Sequence, residues 1–238
     1  MKKVLSMLLS AAVLLPTLAL PASAAGRENV AIRLEKARGG AKAIVSMTFD
    51  DGDYESAVFL KELCKSYELS ASLMMIVERL SYEYAASHEN ARTYMEWYDI
   101  FEGGYLYPEN HSYTHKVLPS DAWAEKNGKH TLNNNTDENY TRELLYSADC
   151  LRDWFDAEAL VFAPSNNTLS DGALDMIRAN YYAVRQGSRG VQSLDPTVGS
   201  TDKGSWYNLY MRGIDDTSAE GIKGYIDQCV DQNGWFLR

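Results

Sequence analysis

Histidine is scarce in this chain, with four in 238 residues, and cysteine is scarcer, with three. Cys64, Cys150 and Cys229 are widely spaced and none stands in a Cys-x-x-Cys pair. That spacing excludes a cysteine-built zinc site. They read as small core residues, or as one disulfide with a thiol left over. Positive charge is also short: 23 Lys and Arg stand against 33 Asp and Glu, a formal net charge of −10. A chain this acidic lacks the basic patch that nucleic acid or an anionic membrane surface requires, and suits a neutral or cationic ligand. Beyond residue 20 there is no apolar run long enough to cross a bilayer.

The one long apolar run is N-terminal. Lys2 and Lys3 precede Val4 to Leu20, Pro16 interrupts the run, and Ala22-Ser23-Ala24 offers small residues for cleavage. This is the pattern of a secretory signal peptide removed after Ala24, and it places the mature protein in the cell envelope or outside it. The run is short and broken by proline, which argues against a retained anchor or stable membrane insertion. Residues 25–40 read as an exposed lead, and 41–238 as one domain with a substantial core.

Two segments carry the chemistry. Ile44 to Phe49 is apolar and β-branched, a buried strand that ends at Asp50-Asp51-Gly52. Acids at the carboxyl end of a buried strand stand where α/β proteins build active sites, although Asp-Gly also makes plain acidic turns. The second segment is His111-Ser112-Tyr113-Thr114-His115. Histidines at i and i+4 fall on one face of a helical turn and can reach one metal ion. Two imidazoles and one carboxylate leave an open position for water, as a catalytic zinc site requires. Cobalt and nickel suit the same donors. His88 reads as a solvated surface residue, and His130 lies in a polar loop without a role.

Thr48-Phe49-Asp50-Asp51-Gly52 followed by His-Ser-x-x-His resembles the polysaccharide deacetylases of carbohydrate esterase family 4, from about Ala41 onward. The resemblance implies an irregular (β/α)₇ barrel. It implies Asp50 as general base, and Asp51, His111 and His115 as ligands of a divalent metal, zinc foremost. It implies an acetylated glycan as partner and hydrolysis of its acetyl groups, N-acetyl before O-acetyl. A backbone amide near Ser165 would then stabilise the oxyanion. Two family features are missing. The Arg-x-Pro that orients the base is replaced by Phe162-Ala163-Pro164-Ser165-Asn166, so Arg185 is the substitute cation and Asn166 a contact to substrate or base. No histidine follows His130, so the Leu-x-His general acid has no counterpart, and the barrel is expected to lack its final strand and helix and to expose a sheet edge. A carbohydrate-binding protein on the same scaffold, with a degenerate site, is the alternative function.

The remaining pattern alternates strand and helix, which favours a parallel sheet. Helices are predicted over 54–67, 81–101, 136–155, 170–180 and 217–232. Strands are predicted over 70–77, 105–107, 159–163 and 181–185, with another beginning at 234. Met74 and Met75 read as core. Trp206, Tyr207 and Tyr210 read as packing ahead of a sugar platform, and Asp215-Asp216 as a helix cap.

Overall fold

The computed structural model describes residues 41–116, 118, 136–186, 191, 206–214 and 217–237. The signal sequence, the exposed lead, His130 and the Asp215-Asp216 pair lie outside the described residues. Among those described, no helix is long and apolar enough to cross a membrane.

The chain runs β1 (Ile44–Ser46), β2 (Thr48–Asp51), α1 (Tyr54–Ser66), β3 (Ala71–Met75), a 3₁₀ turn (Val77–Leu80), α2 (Tyr82–Ser87), α3 (Tyr94–Phe101) and β4 (Leu106–Asn110). Further along come α4 (Asp137–Tyr140), a π-helical segment (Thr141–Tyr146), α5 (Ser147–Phe155), β5 (Val161–Phe162), α6 (Asp171–Asn180), β6 (Ala183–Val184), α7 (Ala219–Asp231) and β7 (Trp235–Leu237). Every strand pairing is parallel. Strands β2 to β6 form one sheet in sequence order, and β7 pairs with β1. The result is a curled parallel half-barrel with helices packed outside it, the α/β architecture expected from the alternating pattern.

Several boundaries differ from expectation. The first strand divides at Met47, so β1 pairs with β7 while β2 pairs with β3. The helix predicted over 81–101 is two helices. Ser81 Oγ caps α2 by accepting from Tyr84 N at 3.1 Å. Glu96 Oε2 accepts from Thr93 N at 2.9 Å, so Thr-x-x-Glu starts α3 afresh. The predicted strand at 105–107 extends to Asn110 and contains Pro108, so β4 ends one residue before His111. The anticipated sheet edge is also covered. Leu209 N donates to Val184 O on one side of the 206–212 segment, and Arg212 N donates to Leu237 O on the other.

Two apolar clusters hold the helices to the sheet. One gathers Trp97, Leu73, Met75, Leu106 and Leu151 under α1, α3 and α5, and the other gathers Phe162, Leu144, Ile177 and Tyr181 under the π segment and α6. Each such fully buried side chain contributes roughly 1.5–3 kcal/mol. Trp206 and Tyr207 belong to the second cluster, so they pack as expected. Met74 and Met75 are wholly buried, and the three cysteines are free and buried.

Candidate metal centre

Strand β2 delivers the acids. Its residues Asp50 and Asp51 pair with Met74 and Met75 of β3. Asp51 adopts φ 72° and Gly52 φ 71°, a left-handed pair that turns the chain away from the sheet. Aspartate tolerates this region better than most residues, whereas position 52 needs glycine outright. A Cβ there would stand 2.8 Å from Met75 Cε. Strand β4 lies two places along the same sheet and releases His111 directly from its end.

The His111–His115 segment is an irregular loop, not the helical turn that the spacing suggested. Ser112 at φ 73° and His115 at φ 60° leave the right-handed region. Side chains replace the missing helical hydrogen bonds. Asn110 Oδ1 accepts from Ser112 N at 2.7 Å, and Ser112 Oγ accepts from His115 N at 3.0 Å. Glu143, fully buried in the π segment, accepts from Thr114 N at 2.8 Å and from Thr114 Oγ1 at 3.0 Å. Left-handed non-glycine residues cost about 1–3 kcal/mol each and persist where the surroundings over-determine them. π-Helical turns are uncommon and cluster at functional sites. Here the π segment aims a carboxylate at this loop.

Three donor atoms converge. His111 Nε2 lies 3.5 Å and His115 Nε2 3.4 Å from Asp51 Oδ1, and the two Nε2 atoms are 3.2 Å apart. Donors about 2.0–2.1 Å from a tetrahedral zinc stand roughly 3.3–3.4 Å from one another, so the spacing matches. The tautomer matches as well. His111 Nδ1 lies 2.7 Å from the Ala163 carbonyl oxygen, so it carries the proton and Nε2 is left with a lone pair. Two imidazole lone pairs face to face at this range repel unless a cation or proton lies between them. The His111 imidazole beside its Oδ1, aided by the nearby His115 and Arg79, holds the Asp51 carboxyl below its usual range against the opposing effect of burial. Burial chiefly, and then the neighbouring His111, pushes His115 below the ordinary imidazole value. Both shifts favour the deprotonated, ligating forms. These residues fit a divalent cation.

Asp50 points elsewhere. Arg185, buried just after β6, donates from Nη2 to Asp50 Oδ1 at 2.5 Å. Arg185 Nε has no hydrogen-bond partner among the described residues. The arginine missing from the Pro164 segment is thus replaced from the next strand. Ser165 is buried, with its Oγ 3.2 Å from Ser112 Oγ, so its hydroxyl braces the histidine loop. Asn166 is exposed at φ 52°.

Sequence reasoning missed Asn110, Glu109 and Glu143. Burial pushes the Glu109 carboxyl up to about 7, and its Oε2 accepts from Val161 N at 2.9 Å. The only local hint was a polar Glu-Asn pair inside an otherwise apolar strand. Replacing Glu143 by Gln removes the charged acceptor from Thr114. It should weaken zinc binding roughly 10- to 100-fold, as loss of a supporting partner of a ligand typically does. Competition against a chromophoric chelator measures this, and an unchanged zinc Kd would show that Glu143 does not hold the loop.

No protein-family model and no curated protein matches the chain. Solved structures do. A polysaccharide deacetylase from Bacillus cereus superposes with TM-score 0.52 at 20% identity, covering 76% of this chain and 50% of that one. A deacetylase from Streptococcus pyogenes, solved with acetate, gives TM-score 0.57 at 17% identity, covering 78% and 71%. A de-N-acetylase from Aggregatibacter actinomycetemcomitans gives 0.53 at 12%, covering 76% and 74%. The chain spans half the length of the Bacillus cereus protein. The likeness at these identities is one of architecture, and on it this chain has the fold of the polysaccharide deacetylases.

Proposed function

We propose that the protein is an exported, metal-dependent hydrolase that removes acetyl groups, N-acetyl foremost, from a polysaccharide or peptidoglycan. The observation that carries this reading is the convergence of Asp51, His111 and His115 beside a separate carboxylate held by Arg185. Zinc suits two imidazoles and a carboxylate best, with cobalt or nickel as substitutes. Bound there, a divalent ion supplies Lewis-acid polarisation of the acetyl carbonyl and of a water.

The chain's own residues do the rest. Asp50 is 41% exposed at its side chain, so water can reach it. Arg185 fixes Oδ1, which leaves Oδ2 to take the proton of the attacking water. Arg185 meets the base through Nη2, while its Nε is buried out of reach of the substrate. Nearly full burial of Arg185 strengthens the Nη2 contact by excluding water from around it. Export rests on Lys2, Lys3, the apolar run to Leu20 and Ala22-Ser23-Ala24.

The protein is expected to release acetate from an N-acetylglucosamine oligomer, to stop in excess chelator and to resume on adding zinc. Acetate release that persists in chelator rules out the metal site as the catalytic centre. Glycan and zinc binding without acetate release identifies a binding scaffold instead.

A further inference from the structure

Between the sheet and the π segment lies a polar knot in apolar surroundings. Asn110, the last residue of β4, and Ser147, the first of α5, are wholly buried, and Tyr181 beside them is 2% exposed. Tyr181 follows α6 directly and stands 71 residues from Asn110. Buried polar atoms are costly unless paired, and here the pairing closes. Asn110 Nδ2 donates to Ser147 Oγ and to Tyr181 OH, both at 2.6 Å. Each hydroxyl donates its own proton to a carbonyl of the π segment: Ser147 Oγ to Glu143 O at 2.6 Å, and Tyr181 OH to Leu144 O.

The knot has a direction. Each hydroxyl has one proton, and a carbonyl takes it, so both hydroxyls accept from Asn110. The amide nitrogen therefore faces the hydroxyls, and Oδ1 faces the histidine loop, where it accepts from Ser112 N. A reversed amide would set Nδ2 against the Ser112 N–H, donor against donor. The same hydroxyls grip the Glu143 and Leu144 carbonyls, and so hold the turn that points the Glu143 carboxylate at Thr114. Ser112 and Thr114 are anchored residues between His111 and His115. Tyr181 thus meets both supports that shape the loop.

We infer that Tyr181 is a positioning residue of the metal centre: its hydroxyl sets the orientation of the Asn110 amide and braces the π turn, and through them it fixes the approach of His111 and His115 to Asp51. Packing does not account for the hydroxyl. The ring sits in the second apolar cluster, 5.5 Å from the Phe162 ring, where phenylalanine would fill the same space. Without the hydroxyl, an Nδ2 proton and the Leu144 carbonyl each lose a partner. Those two atoms already lie 3.4 Å apart. The amide then turns toward Leu144 and draws Oδ1 off Ser112 N.

The inference rests on the metal centre of the deacetylase reading, and zinc affinity tests it without turnover. Tyr181→Phe in the full chain should bind zinc about tenfold more weakly in competition with a chromophoric chelator, the lower end of what the supports of a ligand contribute. Tyr140→Phe is the control. Its hydroxyl meets Ser170 Oγ at 2.6 Å in the same cluster, at the start of α6. Its removal should lower the melting temperature and leave the zinc Kd unchanged. Ser147→Ala takes the other acceptor from Nδ2 and should weaken zinc as Tyr181→Phe does; it decides the matter if Tyr181→Phe does not fold. Wild-type zinc affinity in folded Tyr181→Phe, or an equal weakening in Tyr140→Phe, overturns the assignment. A wild-type protein that binds no zinc overturns it together with the centre. Weaker zinc binding in Tyr181→Phe, in a protein that releases no acetate, keeps the positioning role and rejects the hydrolase.

Discussion

Replacing Asp50 by Asn should leave zinc bound and lower acetate release by roughly 10²–10⁴-fold, the range that a positioned general base contributes. Asp50 and Asp51 are neighbours in sequence with opposite surroundings. The Asp51 carboxylate meets both histidine Nε2 atoms, whereas Asp50 meets Arg185. Asn keeps an oxygen that can accept from Arg185 Nη2, so the guanidinium holds its partner and loses only the charge. The buried arginine then lacks a counter-ion, which costs about 1–2 kcal/mol with half of the pair open to solvent. That cost appears in the melting temperature and not in zinc content. Acetate release assayed at equal zinc occupancy separates the two effects. Loss of zinc in this variant would mean that the two acids have exchanged roles. Unchanged turnover would remove Asp50 from the chemistry.

The residues proposed to ligate and act were legible because each stands in a strong local pattern: an apolar strand stopped by two acids and a glycine, and two histidines four apart. What holds them was legible only in part, because it is non-local. Arg185 reaches Asp50 across 135 residues, and the sequence pointed to it only as the substitute for the arginine that the Pro164 segment lacks. Glu143 reads locally as one more acid on the polar face of a helix. Only the fold shows that a π turn carries it inward to Thr114. The same gap produced the wrong shape for the histidine loop. Spacing of i and i+4 is compatible with a helix and also with a loop that two left-handed residues fold back on itself. The choice between them depends on Asn110 and Glu143, which act from outside the motif. Element boundaries failed for a related reason. Nothing near Met47 marks the point where one apolar strand changes partners from β7 to β3, since both halves are equally β-favouring.

His111→Ala and His115→Ala should both abolish tight zinc binding and acetate release, yet differ in their effect on the metal-free protein. Each removes one of three donors. A share of the roughly 10–16 kcal/mol that a full four-donor zinc site supplies is on the order of 3 kcal/mol, about a hundredfold in Kd. His111 also serves the fold. It is 3% exposed, and its Nδ1–H satisfies the carbonyl of Ala163 at the end of β5. Truncation leaves a hole and an orphaned carbonyl, which costs roughly 1–3 kcal/mol. His115 is 30% exposed at its side chain, and its ring meets the centre through Nε2. Its loss removes metal affinity and leaves alanine in a left-handed backbone that histidine already occupies at a cost, so the net effect on the metal-free fold is small. Zinc affinity by competition titration and the melting temperature of the metal-free protein should therefore separate the pair: equal loss of zinc, unequal loss of stability. If His115→Ala keeps wild-type zinc affinity, the three-donor centre is wrong, because the half-exposed ring has no other task that the structure would miss.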